Sequence, residues 1–390
     1  MSNLPESLTQ SSTAPILGGS PYKVLKTMFN NSRMNLLYLL FVFIPLGYLA
    51  HGLKWGDTWI FILNFLAIIP STRLIGFIIK DISQKYNNQS VGGLLNAVFG
   101  NTVELIVSII ALKEGQINIV QTFVLGSIIS NLLLVLGLCF VAGGILHKKQ
   151  KFNQTAAQTS SSLMTLACIG LIIPAAFNTS GSGKLRNEEL TKLSHGTAIV
   201  LLIIYVLYLL FQLKTHTDYY KNMEEHDDDD EHEQQLNIVV SLFLFAVVTV
   251  AVVFSAKYLV DSIKGIIQSP QLNGSFVSLI LLPIATNATV HTVTTTTIKN
   301  KMNLTISHAV GNSMQIALFV TPLLVIIGWI IGQDMTLFFQ IFETIALFIS
   351  VLLTNYLIQD GESNWLEGSL LLATYVIVGL AFFYNPNNIE

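Results

Sequence analysis

The sequence predicts an all-α polytopic membrane protein with eleven transmembrane helices, in which one extra helix precedes two five-helix repeats of inverted topology. Three observations predict this class: an apolar composition, eleven long apolar segments, and a polar motif that occurs twice. Of the 390 residues, 52% are hydrophobic and only 11% are charged. Because soluble domains have about 25% charged residues, we expect this chain to have a lipid bilayer as its partner.

The composition also disfavours other classes of protein. The formal net charge is -3, and no basic stripe offers a surface for nucleic acid. Cys139 and Cys168 both lie in apolar runs, which predicts buried thiols rather than a disulfide framework. The histidines are scattered, without a nucleophile motif or a metal-ligand spacing. We therefore expect neither an enzyme nor a bound cofactor.

The first 33 residues predict a disordered cytosolic tail. Residues 1–33 are rich in Ser, Thr, Asn and Pro, and they lack the pattern of a cleaved signal peptide. Lys23, Lys26 and Arg33 precede the first apolar run, as in an uncleaved first helix whose N-terminus stays in the cytosol. Lysine and arginine are also more frequent in the loops that this orientation places in the cytosol.

A helix needs about 20 mainly apolar residues to cross a bilayer, and eleven segments meet this requirement. The first is the extra helix. The fourth and ninth are longer than one crossing needs, which predicts tilt or a break around Gly126 and Gly311. The eleven segments lie at 34–53, 58–79, 91–112, 117–146, 157–178, 196–213, 236–260, 274–298, 303–330, 335–357 and 365–384.

An acidic linker separates two halves of equal helix number. The first repeat is predicted at 58–213, the linker at 214–235, the second repeat at 236–384, and a short tail at 385–390. Within the linker, residues 224–233 are all acidic or His. This run is either a solvated, self-repelling loop or a weak cation-sensing segment, since it lacks EF-hand spacing. We expect it to modulate transport without being required for it.

A polar motif occurs once in each half. The first copy reads Gly100-Asn101-Thr102-Val103-Glu104 and is followed by Gly126-Ser127-Ile128-Ile129-Ser130-Asn131. The second copy reads Thr286-Asn287-Ala288-Thr289-Val290-His291 and is followed by Gly311-Asn312-Ser313-Met314-Gln315. Five helices per copy is an odd number, so the copies have opposite orientations. Inverted repeats are typical of secondary transporters, whose binding site lies near the midplane.

Glu104 is the residue most expected to carry a cation and a proton. It is a carboxylate deep inside an apolar segment, where an ionisable group indicates function and where a proton and a cation can compete for it. The alternative is a structural hydrogen bond. Calcium prefers six to eight oxygen ligands. Besides the residues named next, the side-chain amide of Asn131 could supply an oxygen. The predicted cation- and proton-binding residues are Glu104, Asn101, Ser127, Ser130, Asn287, His291 and Gln315, with Glu104, Asn101 and Asn287 as metal ligands.

Two stretches of the first repeat resemble the vacuolar Ca²⁺/H⁺ exchanger family. They are 92–106, GGLLNAVFGNTVELI, and 125–137, LGSIISNLLLVLG. The similarity extends over about 35–385, including the acidic linker and the stretch QIALFVTPL at 315–323. The resemblance implies an eleven-helix antiporter of the vacuolar membrane that exports cytosolic Ca²⁺ in exchange for luminal protons. A homo- or hetero-oligomer is left open.

The second repeat departs from the family pattern at charged positions. The second family glutamate is Val290 here, and Lys257 and Lys80 stand where the family has acidic residues. With Glu104 alone, a bound divalent cation keeps about one uncompensated charge in a low-dielectric site. His291 cannot replace a carboxylate. Two alternatives to Ca²⁺/H⁺ exchange therefore stand: a monovalent cation/H⁺ antiporter, and a transport-deficient regulatory paralogue. A channel is less favoured because no acidic ring is present.

Restoring the missing carboxylate should strengthen calcium handling. We predict that Val290→Glu raises calcium-dependent proton exchange, most clearly together with Lys257→Glu. Opposite unit charges 4 Å apart interact by about 4 kcal/mol at an effective dielectric of 20, and a net gain of about 1.4 kcal/mol is tenfold in affinity. The measurement is calcium flux in vesicles with an imposed pH gradient. An unchanged calcium response in a well-expressed double variant would contradict the prediction.

Overall fold

The computed structural model describes residues 40–85, 89–179, 185–217, 237–267, 273–287, 297 and 302–384. These residues are almost entirely helical, which confirms the all-α prediction. Both predicted tails, the acidic run 224–233, Val290 and His291 lie outside the described residues.

Twelve helical elements follow one another in the described residues. They are α1 Leu40–Gly52, α2 Asp57–Lys85, α3 Gln89–Phe99, α4 Thr102–Lys113, α5 Ile117–Leu146, α6 Gln154–Thr179, α7 at 185–215, α8 Ile238–Ile267, α9 Gly274–Thr286, α10 at 302–331, α11 Ile341–Leu357 and α12 Trp365–Tyr384. Eight of the described segments are long and apolar enough to cross a membrane, one of them formed by α3 and α4 together. Three shorter apolar helices, α1, α9 and α11, complete the set. Eleven crossings remain a prediction.

The sequence predicts tilt or a break around Gly126 and Gly311, and of these two alternatives the structure contradicts the break. Both α5 and α10 continue through these glycines and accommodate a π-helical turn just beyond them, at Ser130–Val135 and Ile316–Val320. A π-turn widens a helix locally and keeps its backbone hydrogen bonds inside the segment. The interruptions occur instead in the third and eighth segments, between α3 and α4 and at Asn287 after α9.

Several predicted boundaries also shift. The second helix continues to Lys85 rather than ending at 79, and the seventh continues to Ile267 rather than ending at 260. The sixth segment was expected at 196–213, but its helix already begins at Leu185. The tenth was expected from 335, but its helix begins at Ile341. Here α10 ends at Gly332 with a φ of 73°, a left-handed conformation that suits glycine, and a capping box of Gln340 and Glu343 starts α11. The intervening Met335, Leu337 and Phe339 are buried without being helical. Their apolar side chains explain why the sequence predicts that the segment starts at 335.

The helices pack in a pattern that exchanges the two halves. α5 contacts α11 and α12, while α10 contacts α6 and α7. Exchanging α5 with α10, α6 with α11 and α7 with α12 converts one set of contacts into the other. α2 and α8 form the largest helix pair, with α1 packed against both. α5 lies at the centre, since 83% of its most apolar stretch is buried. Two interlocked copies of one five-helix unit would give this pattern.

The two interrupted segments are packed unequally. α9 lies directly against α5, and a Cβ atom at Gly126 would overlap the backbone carbonyl oxygen of Leu279. The equivalent half-helix of the first half, α3, leaves Leu94 48% and Val98 41% exposed. One of the two half-helices is therefore enclosed, and the other lies at the periphery.

A two-stranded antiparallel sheet joins two loops at one end of the helices. β1, Gln150–Lys151, follows α5, and β2, Glu362–Ser363, precedes α12. Lys149 Nζ lies 2.6 Å from a Glu362 carboxylate oxygen and lowers the pKa of that partly exposed carboxyl group. The buried Gln150 side chain donates to the carbonyl oxygen of Thr297 at 3.0 Å. The sheet thereby anchors the chain beyond the interruption after α9.

The contact at Gly126 predicts an unequal effect of two alanine substitutions. Gly126→Ala should destabilise the protein by about 1–3 kcal/mol, since the added methyl group must displace backbone. Gly76→Ala in α2 is the matched control, because its Cβ meets nothing within 4 Å and alanine is the better helix former by about 0.5–1 kcal/mol. Thermal unfolding of the purified variants measures the difference. Equal midpoints would contradict the close packing of α5 on α9.

Candidate cation and proton site

Glu104 lies in the first turn of α4, just after the interruption of the third segment. Its side chain is only 5% exposed and contacts the Thr286 hydroxyl at the end of α9. Glu104 therefore lies where the interrupted segments of both halves meet. The N-terminus of a helix favours a negative charge through its free backbone N–H groups, which helps a carboxylate to remain there.

Three carboxylates are buried in the described part of the chain: Asp81, Glu104 and Glu343. Asp81 has a cationic partner, Lys85 Nζ at 2.6 Å. Glu104 has none among the described residues. A buried charge without a partner is costly, so a proton or a cation must neutralise Glu104 for much of the time.

Asn101 connects the interruption to the opposite half. Its Nδ2 atom donates to Gln315 Oε1 at 3.0 Å, and Gln315 is the last residue of α10 before the π-turn. Ser313 Oγ of α10 also lies 3.3 Å from the carbonyl oxygen of Ile128 in α5. The predicted residues Asn101, Glu104 and Gln315 are thus brought to the junction of α4, α5, α9 and α10.

Several buried polar atoms near this junction lack a hydrogen-bond partner. They are Ser127 Oγ, both amide atoms of Asn131, and Asn287 Nδ2. The Ser130 hydroxyl instead interacts with the Tyr375 hydroxyl of α12. Buried polar groups in proteins are almost always paired, with protein or with water. The atoms without a partner indicate a polar interior that water or an ion can occupy. Hydroxyl and amide oxygens are also ligands that Ca²⁺ accepts.

Among the described residues, no three His, Cys, Asp or Glu side chains converge on one point. Any cation at Glu104 would therefore be held by one carboxylate and neutral oxygens. The described cluster contains a single carboxylate, that of Glu104.

Not every residue from the sequence enters this cluster. Lys257 is exposed on α8, and Lys80 is exposed on α2, so neither lies in the buried interior. His291 and Val290 fall outside the described residues, and their roles stay predictions. The sequence does not predict Thr286 as a site residue. In the alignment of the two motif copies, Thr286 stands opposite Gly100, which has no side chain to suggest a role.

Comparison with known proteins gives the family. The family model for sodium/calcium exchanger proteins matches residues 56–214 and 240–384. A vacuolar calcium ion transporter of Schizosaccharomyces pombe is 44% identical over 363 residues, covering 93% of this chain and 87% of that protein. A Ca²⁺/H⁺ antiporter of Aphanothece halophytica is 43% identical, covering 91% and 98%.

Solved structures agree with these relatives. The native structure of YfkE has a TM-score of 0.76 at 32% identity and covers 89% of this chain and 99% of its own. The crystal structure of the H⁺/Ca²⁺ exchanger CAX has a TM-score of 0.66 at 10% identity, over 90% and 92%, and it supports the fold alone. The resemblance seen in the sequence is confirmed. This chain belongs to the sodium/calcium exchanger protein family.

Proposed function

We propose that this protein is a Ca²⁺/H⁺ antiporter of the vacuolar membrane that moves cytosolic Ca²⁺ against a counterflow of protons. The observation that carries the proposal is Glu104, a buried carboxylate that has no cationic partner among the described residues and contacts the Thr286 hydroxyl. The helices that meet there also contain buried polar atoms without hydrogen bonds. The names of the vacuolar calcium transporter and of the Ca²⁺/H⁺ antiporter among its relatives support the choice of ion and membrane.

Exchange follows from the two occupants that Glu104 can accept. Protonated, the side chain is neutral and tolerates its apolar surroundings. Ionised, it needs a cation, for which Asn101, Asn287 and Ser127 supply oxygens that replace water. Because the occupants exclude one another, the site binds the cation when the proton leaves and releases it when a proton returns. This exclusion couples the two flows.

The unequal packing of the half-helices determines which side the site faces. With a cytosolic N-terminus, α3 lies in the cytosolic half of the membrane and α9 in the luminal half. α9 closes its side by packing on α5 at Gly126, whereas α3 leaves its apolar side chains exposed. We assign this arrangement to the cytosol-facing state. Alternation would require α3 to approach α10 while α9 moves away from α5.

Removing the charge of Glu104 should abolish exchange. Glu104→Gln cannot release a proton or neutralise a cation, so proton-coupled calcium uptake should fall to background, while Glu104→Asp keeps partial activity on a shorter side chain. Uptake is measured in vesicles with an imposed pH gradient. Glu362→Gln is the matched control, because it makes the same change at a partly exposed position of the short strand β2, away from the central cluster. Full activity in Glu104→Gln would remove this residue from the mechanism.

A substitution at Asn131 can distinguish a role in binding the cation from a role in stabilising the fold. Neither of its amide atoms is hydrogen-bonded, so replacement by an apolar side chain of similar size should not lower stability. If the amide binds the cation, Asn131→Leu should weaken the apparent affinity for Ca²⁺ by about tenfold, a loss of about 1.4 kcal/mol. Thermal unfolding and the calcium dependence of uptake are measured together. Unchanged affinity would exclude Asn131 as a ligand.

A further inference from the structure

Glu343 is a second buried carboxylate that the central site does not use. It lies in the first turn of α11 and is 3% exposed, less than Glu104. No cationic side chain pairs with it in the described part of the chain. An ionisable group within the membrane region that lacks a cationic partner indicates function.

The partners of Glu343 accommodate both of its protonation states. One carboxylate oxygen accepts from the backbone N–H of Gln340 at 3.1 Å. The other lies 3.3 Å from the Thr122 hydroxyl of α5, and that hydroxyl also lies 2.6 Å from the carbonyl oxygen of Asn118. A hydroxyl has one hydrogen and two lone pairs. When Thr122 donates to Asn118, it can accept a hydrogen bond from protonated Glu343; when Glu343 is ionised, Thr122 can donate to it instead.

The electrostatic surroundings of Glu343 are nearly empty. It faces α5, α6 and α12 through the contacts of α11. α5 and α6 contain no Asp, Glu, Lys, Arg or His, and α12 contains only Glu367, in its first turn. The nearest acidic residue before Glu343 is Asp334, which is exposed. The charge of Glu343 is therefore balanced by a proton rather than by a neighbouring ion.

Glu343 lies on the same side of the central cluster as the contact that closes the site, about one and a half helical turns along α5 from that cluster. Thr122 precedes Ser127 of the central cluster by five residues on the same helix, a rise of about 7.5 Å. The Glu343 end of α5 is also the end at which α9 packs on Gly126. Glu343 therefore lies on the closed side, between the central cluster and the aqueous phase that α9 shuts off.

We propose that Glu343 is a proton-carrying residue of the exchanger, which takes up protons on the side closed by α9 and passes them toward Glu104. The inference rests on the proposed function. A proton from water binds the carboxylate to form the neutral acid; the O–H bond then breaks, the proton moves inward through hydroxyl groups or water, and the carboxylate is regenerated. No other reactant is consumed. Because Val290 replaces the second family glutamate, Glu343 supplies a second site for a proton.

The first test reads protonation directly and needs no transport. Infrared difference spectra of the purified protein, recorded between acid and neutral pH, report protonated carboxyl groups. We expect Glu343→Gln to remove one titrating carboxyl band and Glu104→Gln to remove a different one. If Glu343→Gln leaves all the titrating bands unchanged, Glu343 does not bind a proton in this range and the proposal is overturned, whether or not the protein transports calcium.

The second test reads transport and separates proton transfer from helix capping. Glu343→Gln keeps an oxygen that can accept from the Gln340 N–H but cannot carry a proton, so exchange should fall by roughly 100-fold, as for a lost proton-transfer group. Glu343→Asp should restore part of the rate with a shifted pH profile. Gln340→Ala removes the reciprocal cap and should lower stability more than rate. A wild-type rate and pH profile in Glu343→Gln would overturn the proposal.

Discussion

Inside a bilayer every backbone polar group needs a partner within the protein, and the architecture depends on this constraint. A helix can be interrupted only where other helices or an internal aqueous space surround the free groups. The interruption between α3 and α4 and the end of α9 at Asn287 satisfy the requirement because α5 and α10 pack against α4, and α5 also packs against α9. The long central helix α5, 83% buried over its most apolar stretch, thus helps to shield the polar interior from lipid.

The resulting polar interior combines one carboxylate with uncharged polar groups. Glu104 is the one carboxylate of the described cluster around the interruptions, and its neighbours are amides and hydroxyls, several without hydrogen bonds. Such groups stabilise a cation only when they are already held in place, because they bring no net charge. Their positions are fixed by packing between α4, α5, α9 and α10, as the hydrogen bond from Asn101 to Gln315 illustrates.

The two half-helices α3 and α9 are packed unequally, and the proposed transport depends on this difference. If α3 and α9 were packed alike, the site would be open to both sides or to neither. Close packing at Gly126 on one side, and exposed apolar residues on α3 on the other, make the two half-helices unequal in this structure. Glu343 belongs to the closed side, so a path for protons can exist there while the larger cation is excluded.

The sequence by itself determined the membrane environment, the positions of most apolar segments, the repeated motif and Glu104, because these depend on local composition and spacing. It also carried enough of the family pattern for the resemblance to be recognised. Only the tertiary structure decided where the helices break, since Gly126 and Gly311 are compatible with either a break or a π-turn until their neighbours are known. The contact of Thr286 with Glu104, the unequal packing of α3 and α9, and the pairing of Glu343 with Thr122 join residues more than 150 positions apart or on different helices. No local pattern can reveal such contacts, because they arise from the way two inverted halves interlock.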